Sequence, residues 1–137
     1  MKEKAIVCDI DDTIVEPANK YKPIQNVIDF LKENAGTHKI IMLTARYHDE
    51  LYEMTIKQLA NLGIKYDELI MEPGKHHSHY ENRSQEHAVY KANEVRKLMS
   101  KYDIVLFIDN SKRARKEVKK LNITTKKPEN IKPNTLT

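Results

Sequence analysis

The chain has 137 residues, a net charge of +4 and a sequence pI near 9.0, a length that suits one domain around a single core. Its mean hydropathy of −0.70 and the lack of any apolar run approaching a membrane span predict a soluble protein with no membrane partner. The basic balance favours anionic partners, nucleic acid among them.

Residues 4–10 read as a buried strand that runs into Asp9-Ile10-Asp11-Asp12-Thr13, three carboxylates and a hydroxyl at a strand tip. The sole cysteine, Cys8, lies inside that run and reads as a small core residue. With no secretory leader at the amino terminus, it fits a reducing, cytoplasmic setting. Residues 12–23 carry Pro17, Asn19 and Pro23 and read as a loop. Ile24, Val27, Ile28 and Leu31 predict a helix over 23–34, stopped at Asn34-Ala35-Gly36. Residues 38–44 form a second buried strand ending in Thr44, with Arg46 two residues on. A helix follows over 49–62, closed by Gly63, then a short strand over 66–71, broken by Pro73-Gly74.

The polar stretch 72–84 holds His76, His77 and His79 and reads as a loop at the mouth of the site; a structural zinc is the rival reading. A third helix is predicted over 85–101 through Ala88, Ala92, Val95 and Met99. The most apolar strand, 103–109, ends again in aspartate, at Asp109. A last helix over 111–121 packs through Ala114, Val118 and Leu121; 122–125 fits a short edge strand, and 126–137 an irregular, mobile tail.

Strands alternating with helices predict an α/β protein: a Rossmann-like three-layer α/β/α sandwich with a mostly parallel sheet, one domain over 1–125. Parallel strands point their carboxyl ends one way, so Asp9, Thr44 and Asp109 converge on one sheet edge, where open α/β sheets bind ligands. Carboxylates crowded there repel one another unless a proton or a cation relieves them, which points to a divalent metal. Each residue has a plainer reading too. Asp9, Asp11 and Asp109 could cap turns or a helix, Thr44 is an ordinary strand end, and most lysines such as Lys91 face water.

Asp9-Ile10-Asp11-Asp12-Thr13 resembles the first motif, DxDx[T/V], of the haloacid dehalogenase superfamily. Thr44, Lys91 and Asp109 resemble its second, third and fourth motifs, in order, across residues 4–125. The resemblance implies a phosphatase with Asp9 as nucleophile and Asp11 as the acid and base. It implies Mg2+ held by Asp9, Asp109 and the Asp11 backbone, with Thr44 and Lys91 on the phosphoryl oxygens. A neighbouring anion is expected to keep Asp11 protonated. Asn110 departs from the form of the fourth motif that has two adjacent acids, and is expected to orient the metal's waters by hydrogen bonding. The short insertions at 14–23 and 72–84 leave room for a flap and a loop, so the cap is minimal or missing.

Leu43-Thr44-Ala45-Arg46, the helix end Leu59-Ala60-Asn61-Leu62-Gly63-Ile64 and the run Tyr90-Lys91-Ala92-Asn93-Glu94-Val95 resemble the 3′-phosphatase domain of phage-type polynucleotide kinases. That resemblance implies a phosphorylated substrate at a nucleic-acid end, with Arg46 on its phosphate or backbone. No GxxxxGK[ST] loop occurs in the chain, so only the phosphatase half is expected. Tyr21, Tyr47 and Tyr52 are candidates to stack a base. The basic run from Lys112 to Lys120 reads either as a solvated helix face or as a guide for a polyanion. A phosphatase for 5′-nucleotides or small metabolites, or a binding module without turnover, are the alternatives; intact Asp11 counts against the last.

Overall fold

The computed structural model describes residues 1–74 and 83–137, so the histidines 76, 77 and 79 lie outside the described residues. In chain order the elements are β1 (Glu3–Cys8), β2 (Val15–Glu16), β3 (Lys22–Pro23), α1 (Gln25–Asn34), β4 (Lys39–Tyr47), α2 (His48–Asn61), β5 (Glu68–Glu72), α3 (Arg83–Leu98), β6 (Tyr102–Ile108), α4 (Lys112–Lys119) and β7 (Thr125–Lys126). The sheet order is β5-β4-β1-β6-β7, and every pairing in it is parallel.

Period-two alternation along the strands builds two cores. Ile6 and Cys8 of β1, with Ile40 and Met42 of β4, pack against Val27, Ile28, Phe30 and Leu31 of α1 and Leu59 of α2. Ala5 and Val7, with Ile41 and Leu43, face the other way onto Ala88, Ala92 and Val95 of α3 and Ala114 and Val118 of α4. The result is the Rossmann-like three-layer α/β/α sandwich that the alternation of elements predicts.

Several boundaries differ from the sequence reading for local reasons. β1 stops at Cys8 because the chain turns: the N–H groups of Thr13 and Ile14 both donate to the Ile10 carbonyl, and Asp12 takes a left-handed φ of 60°. β4 runs past Thr44 to Tyr47, which pairs with Glu72 after an irregularity in the register. β5 starts late because the Asp67 carboxylate, not its backbone, accepts the Ile40 N–H at 2.8 Å. α3 ends at Leu98, so Leu98 rather than Met99 is the last fully buried residue of its face.

α2 ends as its glycine predicts. Gly63 at φ 73° and Ile64 send their N–H groups back to the Ala60 and Leu59 carbonyls, a Schellman closure that wants a residue without Cβ at Gly63.

The loop expected over 12–23 contains a small antiparallel hairpin, β2 with β3, joined by a 3₁₀ turn over Pro17–Asn19. The segment after β7 has little regular structure, yet it is packed. Ile131 is buried, and the Asn26 side chain donates to the Pro128 and Ile131 carbonyls at 2.8 and 3.2 Å. No helix among the described residues is long and apolar enough to cross a membrane.

Candidate active site

The carboxyl ends of β1, β4 and β6 surround a cavity of about 450 Å³, lined by Asp9, Asp11, Thr44, Arg46 and Lys91 among others. All five were expected at this edge. Asp109 sits just beneath, with no solvent exposure.

Asp9 follows β1 and is almost wholly buried. Thr13 Oγ1 donates to its Oδ2 at 2.9 Å, and Lys91 Nζ donates to its Oδ1 at 3.0 Å. The same ammonium reaches Asp109 Oδ2 at 2.7 Å, so one buried cation bridges two buried carboxylates. Burial and the Asp109 carboxylate push the Asp9 carboxyl up to about 7, against the pull of Lys91 and Thr13. Burial opposes the charge on Lys91, but Asp9 and Asp109 outweigh it and hold the ammonium above the ordinary lysine range. Cys8, one residue from Asp9, has its thiol pushed well up by burial and then by the two carboxylates, as suits an inert core residue.

Asp109 is held from several sides. Its Oδ1 accepts the Ser111 N–H at 2.8 Å, and Arg115 Nη1 donates to its carbonyl at 2.9 Å. Ser111 also caps α4, its Oγ accepting the Ala114 N–H at 3.1 Å. With its amide nitrogen turned toward the site, Asn110 donates to Asp9 Oδ2 at 3.0 Å and to the Asp11 carbonyl at 3.1 Å.

That Asn110 contact bears on the expected metal. It shows that a carboxylate oxygen of Asp9 and the backbone oxygen of Asp11 converge on one point. Among the described residues no three His, Cys, Asp or Glu side chains are gathered as a metal-holding group. A donor set of the Asp9 and Asp109 carboxylates plus the Asp11 carbonyl is all oxygen and leaves positions for water. That chemistry fits Mg2+, which commonly takes one or two carboxylates and keeps several waters.

Asp11 is placed differently from its expectation. Its side chain is 39% exposed and faces a cation, not an anion: Arg46 donates to Oδ2 through Nε at 3.0 Å and to Oδ1 through Nη2 at 2.6 Å. Arg46 was expected to reach for substrate. It is buried in β4 and in this structure grips Asp11. Its Nη1 donates to Thr55 Oγ1 at 3.0 Å, and Thr55 in turn donates to the Leu51 carbonyl at 2.7 Å. Sequence reasoning missed Thr55. The available signal was a hydroxyl four residues before Leu59 on the buried face of α2. Thr44 Oγ1 accepts the Arg46 N–H at 3.1 Å and lines the cavity.

The candidate base-stackers part company. Tyr47 lines the cavity, Tyr52 packs on His48 with ring centroids 4.7 Å apart, and Tyr21 lines a separate groove beside Met54 and Gln58. His87 was also not singled out for the pocket; it lines the cavity, and its ring lies 3.7 Å from a Glu72 carboxylate oxygen.

No protein-family model and no curated protein sequence matches the chain. Solved structures do match. A chain from a structure of the Pnkp1/Rnl/Hen1 RNA repair complex superposes with a TM-score of 0.75 at 22% identity, over 92% of this chain and 42% of that one. A chain from a second structure of the Pnkp1/Rnl/Hen1 complex gives 0.70 at 22% identity, over 92% of this chain and 46% of that one. The protein thus spans less than half the length of these neighbours and shares its three-layer fold with a part of them.

Proposed function

We propose that this protein is a Mg2+-dependent phosphomonoester hydrolase of the haloacid dehalogenase type, acting on the 3′-phosphate of a polynucleotide. The observation that carries the reading is Asp9: a buried carboxylate bridged by Lys91 to Asp109, two residues from an acid at the cavity wall. An aspartate that only held the fold would also need a cation beside it, but not a place on a cavity wall next to a second acid. The substrate class draws support from the fold shared with chains of an RNA repair complex and from the basic balance of the sequence.

In this reading an Asp9 carboxylate oxygen attacks phosphorus, the bond from phosphorus to the leaving oxygen breaks, and Asp11 gives that oxygen its proton. Water then attacks the aspartyl phosphate, Asp11 takes the water's proton, and phosphate leaves with Asp9 restored. Asp9, Asp109 and the Asp11 carbonyl would hold Mg2+, whose charge offsets the repulsion between nucleophile and phosphate when it is bound. Lys91 adds positive charge beside the attacking carboxylate, and Thr44 supplies a hydroxyl to a phosphoryl oxygen. The Arg46 fork occupies one lone pair on each Asp11 oxygen and favours its charged form, so loosening the fork makes Asp11 a readier proton carrier. An arriving phosphate competes for that guanidinium, because Arg binds either anion in the same two-point geometry.

The test is phosphate release, with and without Mg2+, from an aryl phosphate, a 3′-phosphorylated oligonucleotide, a 5′-phosphorylated one and free nucleotides. The expected result is Mg2+-dependent release, fastest from the 3′-phosphorylated oligonucleotide and abolished in Asp9→Asn. Release from nucleotides alone would move the assignment to a nucleotide or metabolite phosphatase. No release from any substrate would make the protein a binding module.

A further inference from the structure

α4 leaves the catalytic edge with six basic residues and one acid between 111 and 120. They are not equivalent. Arg115 is spent on the Asp109 carbonyl, and Lys120 pairs with Glu117 at 3.0 Å. Arg113 Nη1 donates to Ser84 Oγ at 3.0 Å, and Ser84 lines the cavity, so this guanidinium sits on the rim between α3 and α4. Lys112, Lys116 and Lys119 remain. They are exposed, and at i, i+4 and i+7 they form one stripe opposite the buried Ala114 and Val118.

None of these three has a carboxylate partner among the described residues. Other surface lysines do: Lys39 has Glu3 and Asp67, Lys97 has Glu94 and Lys101 has Glu68. The stripe is about 10 Å long at the helical rise per residue. Across the cavity the basic residues are fewer, and His48 lies 3.5 Å from Asp49. α2 opens with Asp49 and Glu50, and Glu50 lines the cavity wall. A polyanion leaving this cavity meets more positive charge on the α4 side than on the α2 side.

We infer that a single polynucleotide strand whose end occupies the cavity runs out over the α3–α4 rim, past Arg113 and along Lys112, Lys116 and Lys119, and not over α2. This rests on the polynucleotide reading above and adds to it a direction and a set of phosphate contacts. The three lysines do not line the cavity, so they act on the strand and not on the reacting phosphate.

The experiment compares wild type with a triple Lys112→Ser, Lys116→Ser, Lys119→Ser variant on a 3′-phosphorylated oligonucleotide and on an aryl phosphate, over a series of salt concentrations. A second triple variant at Lys4, Lys32 and Lys65, exposed at the amino-terminal edge of the sheet, loses the same charge elsewhere. At low salt the α4 variant is expected to lose roughly tenfold or more in kcat/KM for the oligonucleotide and to keep wild-type turnover of the aryl phosphate. Single strands release about 0.7 counterion per neutralised phosphate, so its plot of log kcat/KM against log salt becomes shallower by about two. An unchanged slope, or an equal loss in the second triple variant, overturns the strand path while leaving the polynucleotide reading in place. Wild-type turnover of the aryl phosphate without turnover of the oligonucleotide overturns both.

Discussion

Arg46 closes a two-point fork on Asp11, through Nε at 3.0 Å and Nη2 at 2.6 Å, from a guanidinium that is itself buried. A planar fork of this kind matches a carboxylate or a phosphate, and a lysine cannot reproduce it. Arg46→Lys is therefore expected to behave like a deletion. It should lower kcat/KM on an aryl phosphate by about 10²-fold, about 2.7 kcal/mol of transition-state stabilisation. Steady-state kinetics on a folded, purified variant checks this. Near-wild-type turnover would make the fork a structural pair only.

Thr55 fixes where that fork can go. Its hydroxyl accepts from Arg46 Nη1 and is locked by donation to the Leu51 carbonyl. Thr55→Val keeps shape and removes the acceptor, leaving a buried guanidinium N–H without it; such a loss is worth about 1–3 kcal/mol. We expect kcat to fall by roughly tenfold or more while Thr55→Ser restores it. Because Thr55 acts through Arg46, adding Thr55→Val to Arg46→Lys should cost little more, which a double-mutant cycle measures. Full additivity would show that Thr55 supports the helix and not the arginine.

The fold was legible because its signals are periodic. Apolar runs ending in Asp9, Thr44 and Asp109 gave the strands, and spacings such as Val27-Ile28-Leu31 gave the helices. The site was legible where a residue sits at a strand end, since topology alone brings those ends together. The partners were not. Nothing local shows that Arg46 turns back onto Asp11, nine residues short of the Thr55 that holds it, because long-range side-chain pairing depends on packing rather than on periodicity. The same holds for Lys91, whose two carboxylates come from 82 and 18 residues away.

Lys91 is also a stability element. Its single positive charge offsets part of the negative charge of Asp9 and Asp109, both buried, and removing one member of a buried ionic group leaves the rest uncompensated at a cost of about 3–5 kcal/mol. Lys91→Met is expected to lose stability on that scale in chelator-treated protein. Adding Asp109→Asn should recover part of the loss by removing one of the two facing negative charges. Denaturant melts of the single and double variants check it. A Lys91→Met protein as stable as wild type would mean that the carboxylates relieve each other by other means, such as a shared proton.

At the opposite edge of the sheet, the Tyr102 hydroxyl donates to Glu68, and Lys101 Nζ adds a contact to the same oxygen at 2.9 Å. The tyrosine hydroxyl is the main cause holding the Glu68 carboxyl below its ordinary value of 4.5, with burial opposing and Lys101 assisting. A carboxyl lowered on folding contributes stability that is present above its unfolded value and lost as pH falls through the folded one. Tyr102→Phe keeps the ring in the core and removes the donor. It should therefore lower the unfolding free energy by about 1 kcal/mol at pH 7, with the gap to wild type beginning to narrow once the pH falls below the ordinary glutamate value of 4.5, where Glu68 released from the hydroxyl starts to protonate. Because this edge is remote from the cavity, phosphate release in the assay proposed above should not change. Urea melts at pH 7 and pH 3.5 decide the matter: a gap that stays constant between them would show that the hydroxyl's contribution does not depend on the charge of Glu68.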